Sequence, residues 1–199
     1  GETKYTAIDG TSRLKAAIQR KFERDNQLNY SPDQILVSVG AKHTLFNACM
    51  AILSQGDEAI IPAPYWVSYP DMVRVAEGVP VVINTGIEDG FKVTPAKLEA
   101  AITDKTRLLF LNSPSNPTGS CYTRDELAAL GAVLLKHPNI VVLADDIYEH
   151  IHWADEPFCS ITTACPDLYD QVVTINGVSK CYAMTGWRVG WMIGPQDVV

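Results

Sequence analysis

The chain has 199 residues, 47% of them hydrophobic and 20% charged, which is enough for one domain with a substantial core and argues against a disordered chain. Sixteen basic against 23 acidic residues give a net charge of −7, and no run of Lys and Arg offers a footprint for a phosphate backbone or an anionic bilayer. Nucleic acid and membrane are therefore excluded as expected partners.

Five scattered cysteines, Cys49, Cys121, Cys159, Cys165 and Cys181, form no Cys-x-x-Cys pair, so reduced thiols in a cytoplasmic protein are the simplest reading. The start, Gly1 to Tyr5, lacks the basic and apolar regions of a signal peptide and reads as a cut end. No apolar run approaches the ~20 residues that span a bilayer.

In chain order, Leu14, Ala17, Ile18 and Phe22 make the first helical stripe, followed by a strand at Ile35–Val39. Gly40-Ala41-Lys42 then opens a helix carrying Leu45, Ala48, Cys49, Ile52 and Leu53. A glycine turn with free N–H groups at a helix start forms an anion site suited to phosphate, or serves as a plain strand-to-helix turn. After a strand at Glu58–Ile61, Pro64-Tyr65-Trp66 places a flat side chain above the sheet. Trp66 is the candidate for stacking on an aromatic ligand, the alternative being a core or interface tryptophan. Pro70 delays or kinks any helix in the segment after Tyr65.

Strands at Val79–Ile83 and Arg107–Asn112 follow. The second ends in Asn112-Ser113-Pro114-Ser115-Asn116-Pro117-Thr118-Gly119, a rigid irregular turn able to aim the Asn116 amide at a ligand oxygen. Thr123 with Glu126 forms a capping box for a helix whose stripe is Leu127, Leu130 and Leu134. The strand Ile140–Asp145 carries Asp145 to its C-terminal end, where an ionised carboxylate requires a cationic partner such as a protonated ring nitrogen. Tyr148, three residues on, could reach a phenolate oxygen of the same ring. An Asp N-cap and a packed tyrosine are the alternatives.

His150-Ile151-His152 has the spacing of two imidazoles on one face of a strand, yet no metal site is expected from it. Strands at Val172–Asn176 and Val189–Ile193 complete a set of seven. Most are apolar throughout, as in strands buried on both faces. The fold class expected is therefore α/β, doubly wound, with a mostly parallel seven-stranded sheet and helices on both faces. Between the last two strands lie Ser179-Lys180 and Gly186-Trp187-Arg188, an amine and a guanidinium eight positions apart, able to hold the two ends of a phosphorylated aldehyde through a Schiff base. G-x-S-x-G, Walker and G-x-G-x-x-G signatures are absent from the sequence.

In this order, Gly40-Ala41-Lys42, Pro64-Tyr65-Trp66, Asn116-Pro117-Thr118-Gly119, Asp145-x-x-Tyr148, Ser179-Lys180 and Gly186-Trp187-Arg188 resemble the class I/II pyridoxal-phosphate-dependent aminotransferases of fold type I, in particular their bacterial aspartate branch. The resemblance runs nearly end to end. It implies that Lys180 carries pyridoxal 5'-phosphate and moves a proton, that Asp145 pairs with the pyridinium nitrogen, and that Tyr148 and Asn116 donate to the ring oxygen. It implies Trp66 as the stacking residue and Arg188 with the amides near Gly40, Ala41 and Lys42 as the phosphate site. Tyr5 matches a tyrosine that reaches the phosphate of a neighbouring subunit, which implies a homodimer with shared sites. The substrates implied are an amino acid, with aspartate foremost, and a 2-oxo acid. A lyase or decarboxylase using the same cofactor stays open, as does a cofactor-binding module with little turnover.

The departures are Gly177, where many relatives carry a hydroxyl residue, and length. Residues 1–199 match the family's cofactor-binding large domain, with its N-terminal arm and C-terminal small domain falling outside. Six parallel strands and one antiparallel strand, Val189–Ile193, are expected.

Overall fold

The computed structural model describes Gly1 and residues 3–199. Seven strands form one sheet: β1 (Ile35–Ser38), β2 (Glu58–Ala63), β3 (Val79–Asn84), β4 (Thr106–Asn112), β5 (Val141–Asp145), β6 (Val172–Gly177) and β7 (Gly190–Ile193). Their spatial order is β1-β7-β6-β5-β4-β2-β3. β7 runs antiparallel to both β1 and β6, and the remaining pairs are parallel, so the expected single reversed strand is present. The first and last strands stop or start one residue inside their expected limits, at Ser38 and Gly190.

Alternation of side chains along each strand sends apolar groups to both faces, and helices cover each. On one face Leu109, Leu111, Val142, Ala144 and Val172 pack under α4 (Pro95–Ala101), α5 (Arg124–Leu134) and α6 (Ile161–Ala164). On the other, Leu108, Phe110, Leu143, Val173 and Ile175 pack under α2 (Ala41–Ile52) and α3 (Tyr69–Val75). The first helix, α1 (Ser12–Asn26), sets Ile18 and Phe22 on Ile35, Trp191 and Ile193 at the β1–β7 edge.

The capping box of α5 forms as its sequence predicts. The Glu126 N–H donates to Thr123 Oγ1 at 3.2 Å, and the Thr123 N–H donates to Glu126 Oε2 at 2.8 Å. Pro70 sits in the first turn of α3, the one place in a helix where its missing N–H costs nothing. The His150-Ile151-His152 segment, whose spacing would put both rings on one face of a strand, lies instead in and just after the turn following β5, where His150 faces Asp25 and Glu149 while the His152 ring lies 6.3 Å from that of Phe158. Tight turn geometry after Asp145 overrides the two-residue periodicity there. Among the described residues no group of His, Cys, Asp and Glu could hold a metal ion, and no helix is long and apolar enough to cross a membrane.

Candidate active site

Parallel strands end together, and the C-terminal ends of β4, β5 and β6 open into a cavity of about 340 Å³ beside the start of α2. Eight of the expected site residues line it: Ala41, Lys42, Trp66, Asn116, Asp145, Tyr148, Lys180 and Arg188. Gly40 stands immediately behind, as the N-cap of α2. Tyr5 does not join them; it lies before the first helix and is fully exposed.

Register places the polar floor. Asn112 and Asp145 are paired across β4 and β5, and the Asn112 side-chain amide donates to the Asp145 carbonyl at 2.7 Å. The Asn112 side-chain oxygen Oδ1 in turn accepts from the Asn116 backbone N–H at 2.7 Å, which ties the proline-rich turn to the end of β4. Asp145 is 5% exposed. Tyr69 Oη donates to its Oδ2 at 2.6 Å, while Oδ1 is buried without a hydrogen bond of normal geometry among the described residues. Burial raises the carboxyl from 3.8 to about 6, against the opposing pull of the Tyr69 hydroxyl, the Ile147 N–H and the Lys180 ammonium. The Tyr69 hydroxyl is itself pushed well above its ordinary value, chiefly by burial and then by the Asp145 charge.

Above this floor the Lys180 Nζ lies 5.7 Å from the centre of the Tyr148 ring. Trp66 forms one wall, with the edge of Tyr69 against it at 5.5 Å and the Lys42 ammonium 4.9 Å from its ring centre. At the far end, the N-terminus of α2 meets Arg188, whose guanidinium donates to the carbonyls of Thr185 at 2.9 Å and Val39 at 3.4 Å. Two glycines permit that approach. A Cβ on Gly40, which has φ +84°, would collide with the guanidinium, and one on Gly190 would collide with the Ala41 amide nitrogen. The result is a cationic end beside free helix N–H groups, an anion site by charge and by dipole.

Tyr69 and Asn112 were not singled out as site residues by sequence reasoning. Tyr69 carries a weak signal as the residue before a helix-starting proline, on the face shared with Asp145; Asn112 carries one as the last residue of a strand adjacent to β5.

An amine, a buried carboxylate and a cationic helix start thus meet around one cavity on a mostly parallel sheet. The chain belongs to the aminotransferase class I and II family, whose model matches residues 1–199. It is 56% identical over all of its length to an aspartate/prephenate aminotransferase of Nitrosomonas europaea, covering 50% of that protein, and 55% identical to one of Cereibacter sphaeroides over the same share. The crystal structure of the aspartate aminotransferase from Rhizobium meliloti matches with a TM-score of 0.97 at 52% identity, over 100% of this chain and 50% of that one. An aromatic aminotransferase from Pyrococcus horikoshii matches with a TM-score of 0.94 at 36% identity, over 98% of this chain and 52% of that one. The chain spans about half the length of the curated relatives it matches.

Proposed function

We propose that residues 1–199 form a unit that binds pyridoxal 5'-phosphate and serves the transfer of an amino group from an amino acid, with aspartate foremost, to a 2-oxo acid. One observation carries the reading: the buried Asp145 Oδ1 makes no hydrogen bond of normal geometry among the described residues, and its carboxylate lines the same cavity as the Lys180 amine. A protonated ring nitrogen supplies the missing partner and offsets the burial of the charge.

When bound, the cofactor supplies an aldehyde that captures amines and a cationic ring that withdraws electrons from a neighbouring carbon. The protein's part is binding, orientation and proton movement. Lys180 would hold the aldehyde end and, once released, would take the proton from the substrate's Cα and return it to the cofactor's C4′, two bonds away. Asp145 keeps the ring nitrogen protonated. Tyr148 and Asn116 donate hydrogen bonds to the ring oxygen, and Trp66 covers one ring face. Arg188 and the N–H groups of Ala41 and Lys42 behind Gly40 hold the phosphate. Tyr5, fully exposed and not among the residues lining this chain's own cavity, is assigned to the phosphate of a second copy in a homodimer with shared sites. The five free thiols support a cytoplasmic location.

The names of the curated relatives pair aspartate with prephenate, which favours prephenate among the acceptors. The test adds aspartate to the chain loaded with pyridoxal phosphate and follows the absorbance of the lysine-bound cofactor. Loss of that band with aspartate, and its return with a 2-oxo acid, is the expected result. A band indifferent to aspartate would contradict the transfer while leaving the cofactor site intact.

A further inference from the structure

Behind the cavity, on the face of the sheet covered by α1, lies a second group of buried charges that takes no part in the roles above. Glu149, 5% exposed, stands next to Tyr148 in the turn after β5. Its Oε1 forms an ion pair with Lys21 of α1 and accepts from the Asn176 side-chain amide at 2.8 Å. Its Oε2 faces the Asn26 amide at 3.4 Å, and Lys21 also donates to Asn26 Oδ1 at 2.7 Å. Asn176 is the penultimate residue of β6, four before Lys180, and its own oxygen accepts from the Gly177 N–H at 2.7 Å. One carboxylate thus joins the turn that carries Tyr148 to the strand end that leads into Lys180.

A buried ion pair of this kind adds little net stability over an apolar replacement, but it fixes the relative position of the groups it joins. Here the joined elements end in a phenol and an amine that share the cavity. Resting on the cofactor reading, we infer that Glu149 is a positioning residue: held by Lys21 and Asn176, it locks the Tyr148 turn against the Lys180 loop and so aligns the Tyr148 hydroxyl with the group that Lys180 holds. The charged and titratable neighbours on the Glu149 side are Lys21, Arg24 and Asp25 from α1, His150 and Asp146 from its own turn, and Cys181 next to Lys180; on the Tyr148 side they are Tyr69, Asp145 and Lys180.

A hydroxyl donated to the cofactor's ring oxygen favours its deprotonated form, so good alignment lowers the pH midpoint of the lysine–cofactor absorbance band. Titrating that band with pyridoxal phosphate bound, in wild type, Y148F, E149Q and the double variant, tests the inference. Y148F raises the midpoint. E149Q raises it in the same direction, by about 0.5 to 1 pH unit, the worth of one misaligned hydrogen bond. The double variant goes no further than Y148F alone, because both act through one hydroxyl.

A midpoint in E149Q equal to wild type, or shifts that add in the double variant, would overturn the positioning role. Lower stability alone moves neither midpoint while the chain is folded. If E149Q fails to fold, Asn176→Ala removes the same link from the Lys180 side and must show the same non-additive rise. A wild-type chain that gives no band at all overturns the cofactor reading instead.

Discussion

Burial holds the Asp145 carboxyl at about 6 against 3.8 in the open chain, so between those values the folded protein keeps a proton that the unfolded one has lost. The stability from that bound proton is complete below about 3.8 and is gone once the pH has risen through about 6. The gap is worth about 3 kcal/mol. Asp145→Asn, which cannot ionise, is therefore expected to be more stable than the cofactor-free wild type at pH 8 by up to about 3 kcal/mol and close to it at pH 3.5, as read by urea denaturation. The same variant loses affinity for pyridoxal phosphate, since the amide cannot pair with a ring cation. A stability difference independent of pH would show that the carboxylate is not strained by its site.

At this scale the sequence told the type of group and its place at a strand end, because acids at the ends of apolar strands demand partners. It did not disclose Tyr69 as the actual hydrogen-bond donor, since that contact spans 76 positions and depends on how α3 lies over β5.

Among elements, the junction of β7 with α2 decides the anion end of the cavity. Gly190 lies under the Ala41 amide, and Gly40 leaves room for Arg188, so the helix start, the reversed strand and the guanidinium meet without a side chain between them. Gly190→Ala forces the helix away from the strand. The expected cost is about 1–3 kcal/mol of stability, with a fall in the affinity for pyridoxal phosphate that is larger than the fall for pyridoxal, which has no phosphate. Equal loss for both ligands would place the phosphate elsewhere.

The strands were legible because runs such as Leu108 to Leu111 are apolar on both faces, and α5 because its capping box is local. The short α4 and α6 were not: α4 buries only Leu98, and α6 spans four residues, too few for a periodic signal. The two-residue spacing of His150 and His152 has no strand to carry it, because the turn after β5 takes up this segment.

For the molecule as a whole, the strand order β1-β7-β6-β5-β4-β2-β3 brings together residues as distant as Ala41 and Arg188. Nothing in the spacing along the chain gives that order; the family resemblance supplied the count of seven strands and the single reversed one, through motifs that each have only weak meaning alone. The topology puts the carboxylate floor, the amine and the anion cradle around one cavity, while α1 closes the opposite face with the Lys21–Glu149 pair. The central claim is that this cavity holds pyridoxal phosphate through the Lys180 amine. It is tested most directly by incubating the chain with pyridoxal phosphate, reducing with borohydride and mapping the modified peptide. The expected result is one stable adduct on Lys180, lost in Lys180→Ala. An unmodified Lys180, with label spread over surface lysines such as Lys105 or Lys136, would contradict the account.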